Sequence, residues 1–320
     1  MISLSCAARK ALVDSMGLKA GERCLVITDS RRKRIGDAFF SEAERLGAEA
    51  RLLVVPFAQF HGQEPGGVAH EMMSYDVIMI PTTMSMSHTQ ARKKACENGA
   101  RIASMPGITE EMMRRTFAVD NEKMNALSTL LFNILNKGRG MRVKTKAGTD
   151  IAMSINRRVH GDYEGLYRKP GQWGNLPAGE ACVSPLEGSA KGVYVLDCGS
   201  PLGTGMLDAP VRVIVENGIA TRITGGKSAE ELESALRKCG EGSRNIAELG
   251  IGTNDCAKIT GAVLEDEKVM GTAHIALGDN HSLGGCVVAQ CHLDGVFRDP
   301  TIWVDDKLIM KDGKLLVHPS

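Results

Sequence analysis

The sequence lacks an excess of charge of either sign. Its 320 residues include 39 lysines and arginines against 38 aspartates and glutamates, so the net charge is +1 and the isoelectric point is near 7.6. Proteins that bind nucleic acid or an anionic membrane surface usually carry a large positive field. The one basic run, at residues 31–34, is short and is interpreted as a solvated turn. We therefore predict neither a nucleic-acid partner nor a membrane partner.

The sequence also lacks a long hydrophobic run and a paired-cysteine motif. No apolar stretch reaches the length that a membrane-spanning helix needs, and residues 1–12 lack the apolar core of a signal peptide. The nine cysteines form no CxxC pair, and several, such as Cys24 and Cys198, lie inside apolar runs. Free thiols behave in this way in a reducing compartment. These absences predict a cytoplasmic protein.

Several catalytic motifs are missing too. The first predicted strand is followed by DSRRKR, which contains no glycine, so the turn that admits a dinucleotide pyrophosphate is absent. The sequence contains no GxxxxGK[ST] phosphate loop, no GxSxG nucleophile elbow and no HExxH helix. It is therefore not predicted to be a dinucleotide-binding enzyme, a P-loop protein, an α/β-hydrolase of the elbow type or a zincin.

The first part of the chain alternates between short apolar runs and helical patterns. Strand, helix, strand at this spacing is typical of a parallel sheet covered by helices on both faces. Pro56 has no amide hydrogen to donate and would end the second strand. We therefore predict an α/β, Rossmann-like domain over residues 1–137. Its predicted strands are 24–29, 51–56, 76–81 and 101–106, and its predicted helices are 34–46, 87–98 and 109–136.

The sequence changes character at the polar, glycine-rich break over residues 136–140. Short β-like runs follow, and Asn217-Gly218 between two of them is a strong hairpin signal, because both central positions of such a turn need positive φ. A second hairpin is predicted at Asp312-Gly313, and a helix is predicted over 228–240. Residues 138–320 are therefore predicted to form a mainly antiparallel α+β domain that is rich in strands and carries a metal site.

Three glycine-rich segments of this second domain carry isolated acidic and imidazole groups, at residues 171–185, 246–255 and 265–295. The clearest pair is His292 and Asp294. Alternate residues of a strand point to the same face, so both side chains can reach one ion. An HxD pair by itself is nevertheless a weak signal, because it occurs by chance in many chains.

Three further candidates in these segments are Glu180, Glu248 and His274. Each alone has an ordinary explanation, as a solvated carboxylate, a carboxylate that turns outward, or a buried histidine bonded to a backbone carbonyl. A buried unpaired carboxylate is costly, however. Two imidazoles and two or three carboxylates within one β domain suit one or two divalent first-row ions. Cysteine is not predicted as a ligand, because Cys291 would point away from the face of His292.

At these segments the sequence resembles the aminopeptidase T/aminopeptidase S family of metallopeptidases. The resemblance implies a pair of divalent ions (zinc, cobalt or manganese) and the removal of N-terminal residues from peptides by a homodimer. The matching stretches agree in order and spacing; they are GNLPAGE (174–180), AELGIGTN (247–254), DEK (266–268), GTAHIALG (271–278) and CHLD (291–294).

The resemblance also implies roles for individual residues. Glu180 would be a bridging carboxylate, and Glu248 a metal ligand or general base. The remaining implied metal ligands are Glu267, His274, His292 and Asp294.

One position departs from the pattern of these peptidases. They carry a tyrosine seven residues after the histidine of the HIALG segment, whereas this sequence has His281 there. His281 is predicted to lie on a loop. Two roles are open: it is a solvated loop residue, or it replaces the tyrosine as a catalytic hydrogen-bond donor to a developing oxyanion.

A related branch, similar to 2,5-dihydroxypyridine dioxygenases, uses one ferrous ion held by two histidines and one carboxylate. That branch is expected to have a histidine where Glu248 stands and to lack the carboxylate of Glu180. Because this sequence keeps both glutamates, we predict a metallo-aminopeptidase-like hydrolase in which metal-activated water attacks a peptide or amide carbonyl. The alternatives are a mononuclear non-haem iron ring-cleaving dioxygenase and a metal-binding protein without catalytic activity.

Overall fold

The computed structural model describes residues 1–87, 89–158 and 165–319, and its internal contacts divide the chain into two compact units. The chain passes between the units three times, whereas the sequence analysis placed one boundary, after residue 137. That boundary, as a division between functional domains, stays a prediction. The first unit comprises Met1–Asn125 and Tyr163–Ala178, and the second comprises Ala126–Asp162 and Gly179–Ser320.

The described residues form eight α-helices and seventeen strands. In the first half of the chain these are α1 (Leu4–Lys10), which continues as a π-helical turn over Ala11–Ser15, β1 (Arg23–Asp29), α2 (Lys33–Arg45), β2 (Glu49–Val55), α3 (Val68–Met72), β3 (Val77–Ile80), α4 (Gln90–Glu97), β4 (Arg101–Ser104), α5 (Glu110–Thr116), α6 (Asn121–Lys137), β5 (Gly140–Lys144) and β6 (Asp150–Ser154). In the second half they are β7 (Trp173–Asn175), β8 (Glu180–Val183), β9 (Lys191–Leu196), β10 (Val211–Glu216), β11 (Ile219–Thr224), α7 (Lys227–Cys239), β12 (Ile246–Gly252), α8 (Val263–Asp266), β13 (Thr272–Gly278), β14 (His292–Arg298), β15 (Thr301–Val304), β16 (Lys307–Lys311) and β17 (Lys314–Leu315).

The first unit is built on a parallel sheet with the strand order β2-β1-β3-β4-β7. The continuous apolar run of β3 is fully buried, and so are all four residues of β4, as expected for strands covered on both faces. The predicted α/β fold of the N-terminal part is therefore confirmed. Its fifth strand, β7, was not predicted, because three residues are too few to show a period.

The helix predicted over 109–136 is two helices, α5 and α6. The residues between them, 117–120, leave the helical path. Asp120 then accepts a hydrogen bond from the Lys123 amide at 3.2 Å, as a residue that begins a new helix does.

The second unit contains two antiparallel sheets. One has the order β11-β10-β9-β6-β5-β15-β16-β17, and the other has the order β14-β13-β12-β8. The hairpin between β10 and β11 turns at Asn217 and Gly218, with φ of 49° and 75°. Asp312 and Gly313 form the turn between β16 and β17. The predicted antiparallel α+β character of the C-terminal part is therefore confirmed.

A shared hydrophobic core lies between the elements of the second unit. The four-stranded sheet contributes Ala273, Ile275 and Leu277 of β13 to this core. Because side chains alternate along a strand, the residues between them point to the opposite face of the sheet. His274 and Ala276 are among these residues, and this alternation positions the candidate site.

The helices are modest in length, and the longest, α6, has 17 residues. None of the helices in the part of the chain that the structure describes is long and apolar enough to cross a bilayer. The predicted cytoplasmic location stays a prediction.

Candidate metal centre

The face of the four-stranded sheet that is turned away from the core carries five of the six predicted metal ligands. β8 begins with Glu180, β12 contributes Glu248, and β13 contributes His274. His292 and Asp294 both come from β14, two positions apart as the HxD pattern requires. In the strand register Ala276 pairs with Glu248 on one side and with Asp294 on the other. The sheet thus brings together residues that are far apart in the chain.

Small residues separate the ligands on this face. Gly250 of β12 stands opposite His274 of β13. A Cβ atom on Gly250 would lie only 2.1 Å from Cε1 of the His274 ring, so the ring occupies the space that a side chain would fill. The first glycine of AELGIG, Gly250, therefore makes room for an imidazole from the neighbouring strand.

Glu248 lies between the two imidazoles. Its Oε2 is 3.0 Å from Nε2 of His292, and its Oε1 is 3.4 Å from Nε2 of His274. Asp294 Oδ1 lies 3.3 Å from Nε2 of His292, and Glu180 Oε2 lies 3.4 Å from Nε2 of His274. These five side chains therefore converge on one another in the structure.

The sixth predicted ligand, Glu267, reaches the cluster from the end of α8. One of its carboxylate oxygens lies within 4.8 Å of ligand atoms of His274 and Asp294. Its neighbour Lys268 was assigned no role by the sequence analysis. The Lys268 ammonium donates to Glu267 Oε1 at 2.6 Å and to Glu180 Oε1, and its side chain is only 3% exposed. Nothing in a single lysine within DEK signals such a buried contact; only the acidic surroundings, read together, could have suggested it.

The two histidines present Nε2 to the cluster for different reasons. The Nδ1 atom of His292 donates to the backbone carbonyl of Asp279 at 2.7 Å, which turns Nε2 towards the carboxylates of the cluster, where it could bind a metal ion. Nδ1 of His274 is buried and has no hydrogen-bond partner among the residues described. His274 is therefore oriented by its packing over Gly250 and by the carboxylates that face its Nε2.

The carboxylates and imidazoles strongly perturb each other's protonation. Burial disfavours charge on Glu248, but hydrogen bonds from His274 and His292 outweigh it and hold the pKa of Glu248 well below its usual range. Burial likewise opposes charge on His274, but the hydrogen bond to Glu248 and the nearby carboxylates raise its pKa to about 9. Burial raises the pKa of Glu267 to about 8. These shifts mark a buried cluster with more carboxylates than permanent positive charges.

The donor set fits a divalent metal ion. Three overlapping groups of ligand atoms each lie within 4.8 Å of one another; they are Glu180, Glu248 and His274; Glu248, His292 and Asp294; and Glu267, His274 and Asp294. Neighbouring ligands of an ion bound at about 2.1 Å are roughly 3.0–3.4 Å apart. The observed distances between carboxylate oxygens and imidazole nitrogens, 3.0–3.4 Å, match that spacing.

His281 lies in a 3₁₀ turn over His281–Leu283, on the connection between β13 and β14. The residue is exposed, as expected for a loop position. Its backbone amide donates to the Asp279 carboxylate at 3.1 Å. The structure assigns its side chain no contact with the carboxylate and imidazole cluster among the residues described.

Comparisons with known proteins identify a family and a shared fold. The family model described as "NicX: 2,5-dihydroxypyridine 5,6-dioxygenase" matches residues 6–317. The 2,5-dihydroxypyridine 5,6-dioxygenase of Pseudomonas putida KT2440 is 25% identical over 250 residues, which cover 74% of this chain and 71% of that protein.

Two solved structures share the fold over nearly the whole chain. The structure of 2,5-dihydroxypyridine dioxygenase from Pseudomonas putida KT2440 has a TM-score of 0.82 and 22% identity, covering 98% of this chain and 97% of that one. Wild-type AmpT from Thermus thermophilus has a TM-score of 0.71 and 17% identity, covering 98% and 99%. The relatedness predicted to both branches is thus supported at the level of fold, while the matched family is the dioxygenase one.

The prediction of a metallo-aminopeptidase-like hydrolase, and with it the description as a metallopeptidase or protease, is wrong, because the family model and the Pseudomonas putida relative are dioxygenases. The prediction rested on Glu180 and Glu248 as signs of a two-metal site. In the structure Glu180 is paired with Lys268, so its presence does not by itself indicate a second ion. The oxyanion that His281 was considered to stabilise arises in peptide hydrolysis, so this role has no basis once the hydrolase prediction is rejected. The matched family does imply a divalent metal, as the sequence analysis expected.

Proposed function

This chain belongs to the 2,5-dihydroxypyridine 5,6-dioxygenase family, and we propose that it is a mononuclear non-haem iron dioxygenase that opens the ring of a dihydroxylated pyridine. One observation carries the proposal. In a chain matched by that family over residues 6–317, two histidines and two carboxylates converge on one face of a sheet. The substrate class comes from the name of the Pseudomonas putida relative.

We propose that the ion is held by Glu248, His274, His292 and Asp294. Two imidazoles with carboxylate oxygens are the donors of non-haem ferrous oxygenases, and such sites keep coordination positions open for oxygen and substrate. Iron bound there would supply the one-electron chemistry that allows dioxygen to react with an aromatic ring.

The chain's own residues contribute orientation and exclusion of water. The Asp279 carbonyl fixes the His292 ring, and Gly250 gives the His274 ring its place. The cluster is largely enclosed, since His274 and Glu248 are 1% and 6% exposed. His292 and Asp294 remain partly exposed, so substrate is proposed to reach the ion from their side of the cluster.

The proposal is tested by oxygen consumption. Protein reconstituted anaerobically with one ferrous ion is mixed with 2,5-dihydroxypyridine in air-saturated buffer, and oxygen uptake and ring absorbance are followed together. We expect one dioxygen consumed per ring lost, and both atoms of labelled dioxygen in the product. Iron-loaded protein that leaves the substrate and the oxygen unchanged would contradict the proposal.

A matched variant separates this chemistry from free iron. Asp294→Asn keeps the size of the side chain but removes the charge of one proposed ligand. We expect it to lose most of the oxygen uptake under the same iron load. Catechol and hydroquinone, which lack the ring nitrogen, show whether the preference is for a pyridine.

A further inference from the structure

The carboxylate cluster contains a positive charge that belongs to the chain itself. Glu180, Glu248, Glu267 and Asp294 bring four carboxylates together, and Lys268 is buried among them with an ammonium that contacts Glu180 and Glu267. A lysine that is 3% exposed is unusual unless it is paired. Here it is paired twice, in a part of the site that the proposed single ion does not need.

We propose that Lys268 is a positioning residue that stands in for a second metal ion and thereby limits the site to one. The inference rests on the proposed function in one respect, since it takes the first ion to be held by Glu248, His274, His292 and Asp294. The remaining two carboxylates, Glu180 and Glu267, are the ones that Lys268 binds.

The surroundings of Lys268 resemble those of a second ion. Two-metal sites hold their ions about 3.5–4 Å apart by carboxylates that both ions share. The other carboxylate oxygen of Glu180 lies 3.4 Å from Nε2 of His274. Ligand atoms of Glu267, His274 and Asp294 lie within 4.8 Å of one another. Ligands for a second ion therefore surround the first site already, and the ammonium occupies their free oxygens. A lysine is a compact point charge with three donors, so it can satisfy both carboxylates at once.

Removing this charge should change how many ions the chain binds. Lys268→Met keeps an unbranched side chain but leaves the buried Glu267 and the partly exposed Glu180 without a counter-charge. For a buried carboxylate this is costly unless a cation or proton is taken up. Zinc is the probe, because it has no redox chemistry. Dialysed protein is titrated calorimetrically, and zinc per chain is measured by elemental analysis.

We expect one zinc ion per chain in the wild type and two in Lys268→Met. The double variant Lys268→Met/Glu267→Gln removes one carboxylate together with the ammonium, so it should return to one ion. Lys268→Arg retains the charge and should also bind one. Lys258→Met, at an exposed lysine of the same unit, is the control and should not change the number.

Two zinc ions in the wild type, or one in a folded Lys268→Met, would overturn the inference. If Lys268→Met fails to fold, two zinc ions in the wild type at excess zinc, or two in the double variant, would still overturn the inference. Failure of the proposed function is distinguishable. A chain that binds one zinc ion but consumes no oxygen with 2,5-dihydroxypyridine would refute the activity and leave the role of Lys268 standing, and two zinc ions in an active dioxygenase would do the reverse.

Discussion

Buried carboxylates have different kinds of partner in the two units: mostly backbone amides in the first, and imidazoles in the second. In the first unit Asp29 ends β1, and it accepts hydrogen bonds from the amides of Arg31, Arg32 and Thr83 and from the Thr83 hydroxyl. In the second unit Glu248 is faced by two imidazoles, each of which also faces another carboxylate. The backbone saturates Asp29, whereas the partners of Glu248 are groups that a metal ion would bind.

The point of the parallel sheet where ligands usually bind is occupied by the chain's own side chains. In open parallel sheets, ligands usually bind at the carboxyl ends of the strands where the strand order reverses, which here is between β1 and β3. Asp29 and Thr83 occupy that point and bond to each other. The groups with spare bonding capacity lie instead on the antiparallel sheet of the second unit. The candidate metal site is therefore indicated by side chains that can still bind a ligand, and not by the crevice where ligands of this fold usually bind.

The largest effect that we expect is the difference in bound iron and oxygen uptake between a variant near Glu248 and a variant of Asp29. His292→Ala removes a proposed ligand, so bound iron should fall to a small fraction and oxygen uptake should drop by more than about 100-fold, since even outer partners of metal ligands cost about 10–100-fold. Asp29→Asn should keep its metal and its turnover, although a mispaired buried group costs about 1–3 kcal/mol of stability. Metal analysis and urea unfolding check both. Equal metal loss in the two variants would break the comparison.

A smaller effect concerns the space that the sheet leaves for an imidazole. A Cβ atom in Gly250→Ala collides with the His274 ring, so the ring must turn and the zinc dissociation constant should rise by about 10–100-fold. Gly140→Ala in β5 is the matched control, because its Cβ would meet only Asp305 Oδ1, at 4.0 Å. Competition with a chromophoric chelator measures both constants. Unchanged zinc affinity in a folded Gly250→Ala would show that the ring position is not needed.

The smallest effect concerns the connection between β13 and β14. Glu187 accepts hydrogen bonds from the Asn280 side chain and the Cys286 amide, both at 2.9 Å, and pairs with Arg158. Partial burial opposes charge on Glu187, but the Cys286 and Asn280 hydrogen bonds and the charge of Arg158 lower its pKa to about 2. A carboxyl whose pKa is lowered by folding stabilises the protein above its ordinary pKa of 4.5 and loses that contribution as pH falls towards 2.

Thermal unfolding of metal-free wild type and Glu187→Gln tests this dependence. The wild type should be the more stable above pH 4.5, and the difference between the two melting temperatures should shrink as the pH is lowered towards 2. Because other carboxyls titrate alike in both proteins, the difference reports Glu187. A difference that stays constant over this range would exclude the contribution.

Much of the candidate site was predictable because strand periodicity is local. The alternation in TAHIALG places His274 on the face opposite Ile275, and HLD places His292 and Asp294 together. The same reasoning gave the parallel sheet and the Asn217-Gly218 hairpin. This reasoning did not predict β7, which is too short to show a period. It also predicted one helix where α5 and α6 are separate, because it missed that Asp120 begins a new helix.

The sequence by itself determined the faces of the strands, the residue types of the cluster and the two fold classes, because each depends on neighbours within a few positions. Only the tertiary structure decided that Lys268 meets Glu180, 88 positions away, and that Gly250 lies under His274. Both facts concern contacts across strands and turns, which periodicity does not encode. The number of positive charges that a buried carboxylate cluster still needs depends on those contacts, and a count of glutamates along the chain cannot supply it.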